Sequence, residues 1–222
     1  MKLIAIKIFY ILILTIGFTT NAFASSDDSP VKMLNIVASS VIDQLHQAEK
    51  KVARGEEIPL KTVRNIVNSI LLPHVDLDHI SRAVLGRNTW AKATVSQKQE
   101  FKQQFTELLI NTYASGLAVT FNKQHIEFFP IRGGYQGKTI VQVNSKVYPQ
   151  NASPLSVVYN LERKNGQWLI YDMNVDGISL VQSYKAQFLA IIENEGLQGI
   201  LTTLVSHNKA RMAKHRQVSG SS

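Results

Sequence analysis

The 222-residue chain has no cysteine. That absence excludes a disulfide scaffold, a thiolate zinc site and a cysteine nucleophile. Charge is also sparse, at 18% of residues against 45% hydrophobic, a balance that suits a folded chain of one or two domains and not a disordered one. Acids are the minority sign, 16 against 24 basic residues. The net charge of +8 permits an anionic partner without selecting one. The Lys and Arg residues are spread along the chain, so no nucleic-acid partner is expected. Enzyme motifs are missing as well. The sequence holds no Gly-x-Ser-x-Gly elbow, no His-Glu-x-x-His, no phosphate-binding Walker loop and no Gly-x-Gly-x-x-Gly. Gly133-Gly134 is better explained as a turn than as a phosphate cradle.

Long apolar runs are confined to the beginning of the chain. Lys2 and Lys7 precede an apolar stretch from Ile8 to Phe18, and Ala22-Phe23-Ala24 places small residues at the −3 and −1 positions of a cleavage site. This pattern predicts an export signal over residues 1–24, cut after Ala24, and hence a periplasmic or otherwise exported product. The rival is an uncleaved anchor helix, but the stretch is shorter than the ~20 residues that span a bilayer. No cysteine follows the cut, which argues against a lipoprotein anchor. Residues 25–30 read as a disordered leader, and 209–222 as a basic tail.

Between them, 31–208 reads as one domain. Leu34, Val37, Val41, Leu45, Ala48 and Val52 recur at helical steps, broken by Gly55 and Pro59. Val63 to Leu71 gives a second helix ended by Pro73, and Asp76 caps a third that stops at Gly86. Thr94-x-x-Gln97 is a capping box for a fourth, which carries Phe101, Phe105, Leu108, Tyr113 and Leu117. The helical part is thus 31–121. A sheet over 125–176 follows, with period-two alternation. Ile126 and Phe128 mark one strand, Val141, Val143 and Val147 one face of a second, and Val157, Tyr159 and Leu161 a third. Lys164-Asn165-Gly166-Gln167 predicts a two-residue type I′ hairpin. It pairs Leu161 with Ile170 and Arg163 with Trp168, so Trp168 and Ile170 join that same face. Simple alternation then puts Tyr171, Met173 and Val175 on the opposite face. Helices return over 178–208, with Leu180, Tyr184, Phe188, Ile191 and Ile192 as a stripe and Gly196 as a break. The expected class is α+β: a curved antiparallel sheet of about four strands, forming a cone wrapped by helices. Such a cone either fills with its own side chains or holds a ligand.

Candidate chemistry is thin. In Pro73-His74-Val75-Asp76-Leu77-Asp78-His79, His74 and Asp78 would share a face as metal ligands can if the stretch were helical throughout. Pro73 and Asp76 instead mark a helix start, where acids have a capping and dipole reason to be. Asp172 and Asp176 flank the end of the last strand. Either is a candidate general base if buried in the cone. The plainer reading is that Asp172 satisfies nearby backbone groups while Asp176-Gly177 makes a turn. The six histidines lack an evident catalytic partner, and surface positions are the default.

Two blocks carry a resemblance. The first is Leu71-Leu72-Pro73-His74-Val75-Asp76, then Val84-Leu85-Gly86, then Ala93-Thr94-Val95-Ser96-Gln97 and the Phe101 to Phe121 helix. The second is Gln167-Trp168-Leu169-Ile170-Tyr171-Asp172-Met173, then Asp176-Gly177-Ile178-Ser179-Leu180 and Gly196-Leu197-Gln198-Gly199-Ile200. In order and spacing these resemble the MlaC family, the toluene-tolerance auxiliary family of periplasmic phospholipid carriers. Asp176 departs from the family's more usual Glu, and Asn88-Thr89 stands where aromatics are common. The resemblance implies a cone related to nuclear transport factor 2, with an added helical subdomain. It also implies a shuttle that carries phospholipid between an outer-membrane lipoprotein–porin complex and an inner-membrane ABC transporter with an MCE-domain ring, maintaining the lipid asymmetry of the outer membrane.

The physics of that role is set by the acyl chain. Burying each CH₂ is worth about 0.8 kcal/mol, so a chain of roughly 16 carbons needs an apolar site that recovers on the order of 12 kcal/mol. Val141, Val143, Val147, Val157, Tyr159, Leu161, Trp168 and Ile170 are the expected lining, with Tyr113, Leu117 and Tyr184 closing it. Pattern alone does not separate such a lining from an ordinary filled core. Binding and release need no cofactor, no metal and no catalytic residue. The alternatives are a small-molecule enzyme using Asp172 or Asp176, or a chaperone for lipoproteins or outer-membrane proteins.

Overall fold

The computed structural model describes residues 29–52, 58–120, 125–149 and 153–219, apart from the side chains of 114–120 and 214–219. The expected export signal lies outside the described residues, as do residues 25–28 of the leader. Helix α1 (Pro30–Glu49) already begins at Pro30, because Ser29 caps it, its hydroxyl accepting from the Lys32 amide at 3.4 Å, and Pro30 fits the first helical position.

Helix α2 (Leu60–Ile66) runs into a π turn at Val67–Leu71 and a 3₁₀ turn at Leu72–His74. Pro73 has no amide to continue the ladder, and the pitch widens and then tightens ahead of the break. Helix α3 (Leu77–Leu85) is capped by the Asp76 carboxylate, which accepts from the His79 amide at 2.8 Å. The chain then turns at Gly86 (φ 78°) into a short helix α4 (Arg87–Lys92), which carries no periodic apolar stripe. The capping box that opens α5 (Val95–Thr120) forms in both directions. The Thr94 amide donates to Gln97 Oε1 at 3.0 Å, and the Gln97 amide donates to Thr94 Oγ1 at 3.2 Å.

Among the described residues five strands follow, where about four were expected: β1 (His125–Phe128), β2 (Ile140–Tyr148), β3 (Leu155–Lys164), β4 (Gln167–Val175) and the two-residue β5 (Ile178–Ser179). They form one open antiparallel sheet in chain order, so the class is α+β as expected. The β3–β4 hairpin turns on Asn165 (φ 49°) and Gly166 (φ 82°), and Leu161 pairs with Ile170 and Arg163 with Trp168. Beyond Ile170 the simple alternation fails. A bulge sets Asn160 opposite Asp172, leaving Tyr171 as the extra residue, so parity reverses and Met173 pairs with Tyr159. Met173 therefore lies on the Leu161–Ile170 face, and Val175 follows it by pairing with Val157. Of the three residues assigned to the opposite face, only Tyr171 points away.

The last helical segment (Leu180–Ser219) breaks at Gly196, where φ is 65°. Its halves are called α6 (180–195) and α7 (197–219). The basic tail expected from residue 209 continues α7, with Lys209 and Arg211 exposed. Three apolar clusters hold the fold. One is entirely helical and is built on Phe101, Phe105, Tyr184, Phe188 and Leu201. A second packs Leu45 of α1 with Val63, Ile66, Val67 and Ile110. The third is the inner sheet face, covered by Leu34 of the same α1. The two ends of one helix thus belong to different cores.

Candidate functional site

Strand alternation builds the site. Along β2, Val141, Val143, Ser145 and Val147 are buried, while Gln142, Asn144 and Lys146 face out. Val141, Val143, Leu161, Trp168 and Ile170 meet Leu34, with Tyr159, Met173 and Phe128 packed around them. Val143 and Leu161 have no exposed surface, and Trp168 keeps 3%. Val147 and Val157 are also buried and lie toward the 149–154 connection, next to Ser145, whose hydroxyl donates to the Val157 carbonyl at 3.2 Å. All eight sheet residues named from sequence thus share one apolar face. Burial pushes the Tyr159 phenol's pKa up, opposed by a hydrogen bond with Ser145.

The cover over this face differs from the expected one. Val31, Met33 and Leu34 of α1 lie on it, together with Ile131 and Tyr135 from the β1–β2 connection. The Tyr135 ring meets Trp168 edge-on at 6.4 Å. Tyr184 is instead in the helical cluster, edge-on to Phe105 at 5.0 Å. Its phenol pKa is driven strongly upward by burial and by a hydrogen bond with Tyr113. Tyr113 is 45% exposed. The Leu117 side chain lies outside the described residues. Sequence reasoning missed the α1 contribution because the stripe of α1 looks uniform, although it serves two cores. Met173 was missed because nothing in the run Leu169-Ile170-Tyr171-Asp172 marks a bulge.

Two concavities are described, and both lie away from this face. One, about 490 Å³, is an open groove between α1 and the π turn, lined by Ile36, Val37, Asp43, Gln47, Ile70 and His74 among others. The other, about 250 Å³, lies between α4 and α6, with Arg87, Asn88, Lys185, Leu189 and Ile192 in its walls. The sheet face itself is covered by α1 and the 129–139 connection in this conformation.

The carboxylates considered as bases are occupied by structure. Asp172 accepts from the Met173 amide at 2.8 Å, the Ser179 hydroxyl at 2.7 Å and the Val181 amide at 3.1 Å, joining β4 to the start of α6. Asp176 (φ 48°) accepts from the Ser156 amide at 2.9 Å in the turn before β5. Neither lines a described concavity.

One polar cluster was not foreseen. Asp76, His79 and Glu162 bring their ligand atoms within 4.8 Å of one another, the single such trio among the described residues. The Lys164 ammonium already donates to the Asp76 carboxylate, and to Glu162 Oε1 at 3.2 Å, so the positive charge that a metal would supply is present. His79 Nδ1 lies 2.7 Å from Glu162 Oε1, and the imidazole stacks on Tyr171 with centroids 4.6 Å apart. His79 is thus half-buried and engaged, not a free surface histidine. Its partner lies 83 residues away in sequence, beyond the reach of any local motif.

Comparison with known proteins agrees with this architecture. The family model described as MlaC protein matches residues 37–206. A toluene tolerance protein, ttg2D, of Pseudomonas putida is 32% identical over 130 residues, a stretch that spans 59% of each chain. The intermembrane phospholipid transport system binding protein MlaC of Haemophilus influenzae is 22% identical over 209 residues, 92% of this chain and 94% of that one. Among solved structures, the phospholipid-binding protein of Ralstonia solanacearum, in complex with a phospholipid, superposes with a TM-score of 0.73 at 28% identity. It covers 83% of this chain and 99% of its own. Since the family model spans most of the sheet and of its helical surround, the chain belongs to the MlaC family.

Proposed function

We propose that this protein is a periplasmic phospholipid carrier. Its acyl-chain site is the inner sheet face of Val141, Val143, Val147, Val157, Tyr159, Leu161, Trp168 and Ile170, joined by Met173. The observation that carries the reading is the Ralstonia solanacearum protein, which shares the fold and holds a phospholipid. The continuous apolar face described above supplies the matching chemistry. A lipid tail gives up on the order of 12 kcal/mol of burial when it leaves a bilayer, and an aromatic-aliphatic face of this kind can return it. Loading exchanges the contacts of Met33, Leu34, Ile131 and Tyr135 with the sheet for contacts of those residues with the tail. The apolar surface therefore stays out of water in both states.

In the same reading, lipid passes between an outer-membrane lipoprotein–porin complex and an inner-membrane MCE-domain ABC transporter. This shuttling supports outer-membrane lipid asymmetry. The export signal over 1–24 would deliver the chain to that compartment. The enzyme alternative gains little from Asp172, whose two oxygens accept from backbone and hydroxyl donors, or from Asp176, an exposed turn residue that accepts from the Ser156 amide.

Native mass spectrometry of gently purified mature protein, with organic extraction of the same sample, tests the proposal. Phospholipid masses on the intact protein are expected. Protein free of lipid that also takes none up from vesicles contradicts it.

A further inference from the structure

The polar cluster joins α3 and its cap to the β3–β4 hairpin, whose strands carry the apolar face of the carrier reading. Val75, just before α3, forms a parallel bridge with Ile170 of β4, and the Asp76 amide donates to the Ile170 carbonyl at 2.9 Å. The Asp76 carboxylate takes the Lys164 ammonium from the end of β3. Lys164 also reaches Glu162, Glu162 pairs with His79, and His79 stacks on the bulged Tyr171. Apart from the Lys164–Glu162 contact within β3, these links run from α3 or its cap to the β3–β4 hairpin. Asp76 is 6% exposed, so its charge is held in place by these partners and not by water.

The position of the cluster gives it a consequence for the apolar face. Ile170 holds both ends of the connection: its carbonyl is bound to Asp76, while its side chain is part of the inner face. Glu162 and Lys164 flank the hairpin that carries Trp168. Any motion that draws the hairpin away from α3 moves the floor of the lipid face. The inner side of the hairpin lies under the cover from the first turns of α1 and the 129–139 connection, where apolar side chains meet, Tyr135 stands edge-on to Trp168, and the Arg163 amide donates to the Thr139 carbonyl at 2.8 Å. The hairpin is therefore fastened to α3 on its outward side by directional, charge-assisted bonds, while its inward side is covered mainly by non-directional apolar packing.

We propose that Asp76, Lys164, Glu162 and His79 form a clasp that holds the β3–β4 hairpin on α3 and so slows lipid release. These are positioning residues, acting through the strand that bears Trp168 and Ile170. The proposal rests on the carrier reading.

The test uses mature protein loaded with fluorescent-tailed phosphatidylethanolamine and acceptor vesicles of phosphatidylethanolamine and phosphatidylglycerol. K164M keeps the aliphatic stem and removes the ammonium. Release should quicken by about fivefold or more, the factor expected of a partly exposed ion pair. K164R should restore most of the wild-type rate. Hydrogen exchange should rise in the segments holding Asp76 and Ile170 but not in the Phe101–Phe188 core. If K164M does not fold, E162Q, which leaves the Asp76–Lys164 pair intact, should show a smaller acceleration. A folded, loaded variant that releases lipid at the wild-type rate overturns the clasp and leaves the carrier reading standing. Wild-type protein that accepts no lipid overturns both.

Discussion

Asp76 shows how one residue can serve two levels of structure. Burial disfavours its charged form, but the Lys164 ammonium and the His79 amide outweigh that, and the carboxyl is lowered from 3.8 to about 2. A group whose folded pKa lies below its unfolded value stabilises the fold above the unfolded pKa. That contribution is lost as pH falls through the folded one. Acid should therefore remove about 2 kcal/mol between roughly pH 4 and pH 2 at this site. D76N keeps a good cap but has no charge to lose. It should be less stable at neutral pH and show a flatter acid limb. Urea unfolding at stepped pH measures both, and identical acid limbs in the two proteins would refute the assignment. The capping role was legible in sequence, from an acid three residues before His79 at the start of an apolar-periodic run. The ion pair was not, since Lys164 lies 88 residues away and no periodicity links a helix cap to a hairpin tip. A second residue-scale expectation concerns Val143. V143F should cost about 1–3 kcal/mol by overpacking and should lower lipid occupancy. Full occupancy in a folded variant would remove Val143 from the lining.

At the scale of elements, turns and caps were legible because their chemistry is local. Asn165-Gly166 fixed the hairpin and the Leu161–Ile170 register, and Thr94-x-x-Gln97 fixed the start of α5. The φ of 82° at Gly166 predicts that G166V destabilises by about 1–2 kcal/mol, read in a thermal melt. A variant as stable as the parent would mean the turn does not need its left-handed glycine. Elements without such chemistry were hidden. Helix α4 has six residues and no side-chain cap bond. The bulge at Tyr171 is decided by tertiary contact, with the His79 ring taking the extra residue. That local irregularity turns Met173 onto the inner face, where sequence alternation had put it outside.

Over the whole molecule, the division into helical cores and one apolar sheet face follows from how α1 is shared. Leu45 is locked into a helical cluster, while Leu34 covers the sheet. The inner face was legible because alternation in β2 is strict and β3 repeats it at Val157, Tyr159 and Leu161. Its cover was not, because an amphipathic stripe states that a helix is buried but not against what. Whether tails lie on this face can be read from the chain's own chromophores, of which there are two tryptophans, Trp90 and Trp168. Trp90 packs beside the helical cluster, and Trp168 is in the sheet face. In a W90F protein Trp168 is the single indole emitter, and bromine atoms along a phospholipid tail quench only an indole they touch. Loading W90F with tail-brominated phosphatidylglycerol, with mass spectrometry confirming that the lipid is bound, should extinguish most of the Trp168 emission, whereas bound brominated lipid with undimmed Trp168 would contradict the account.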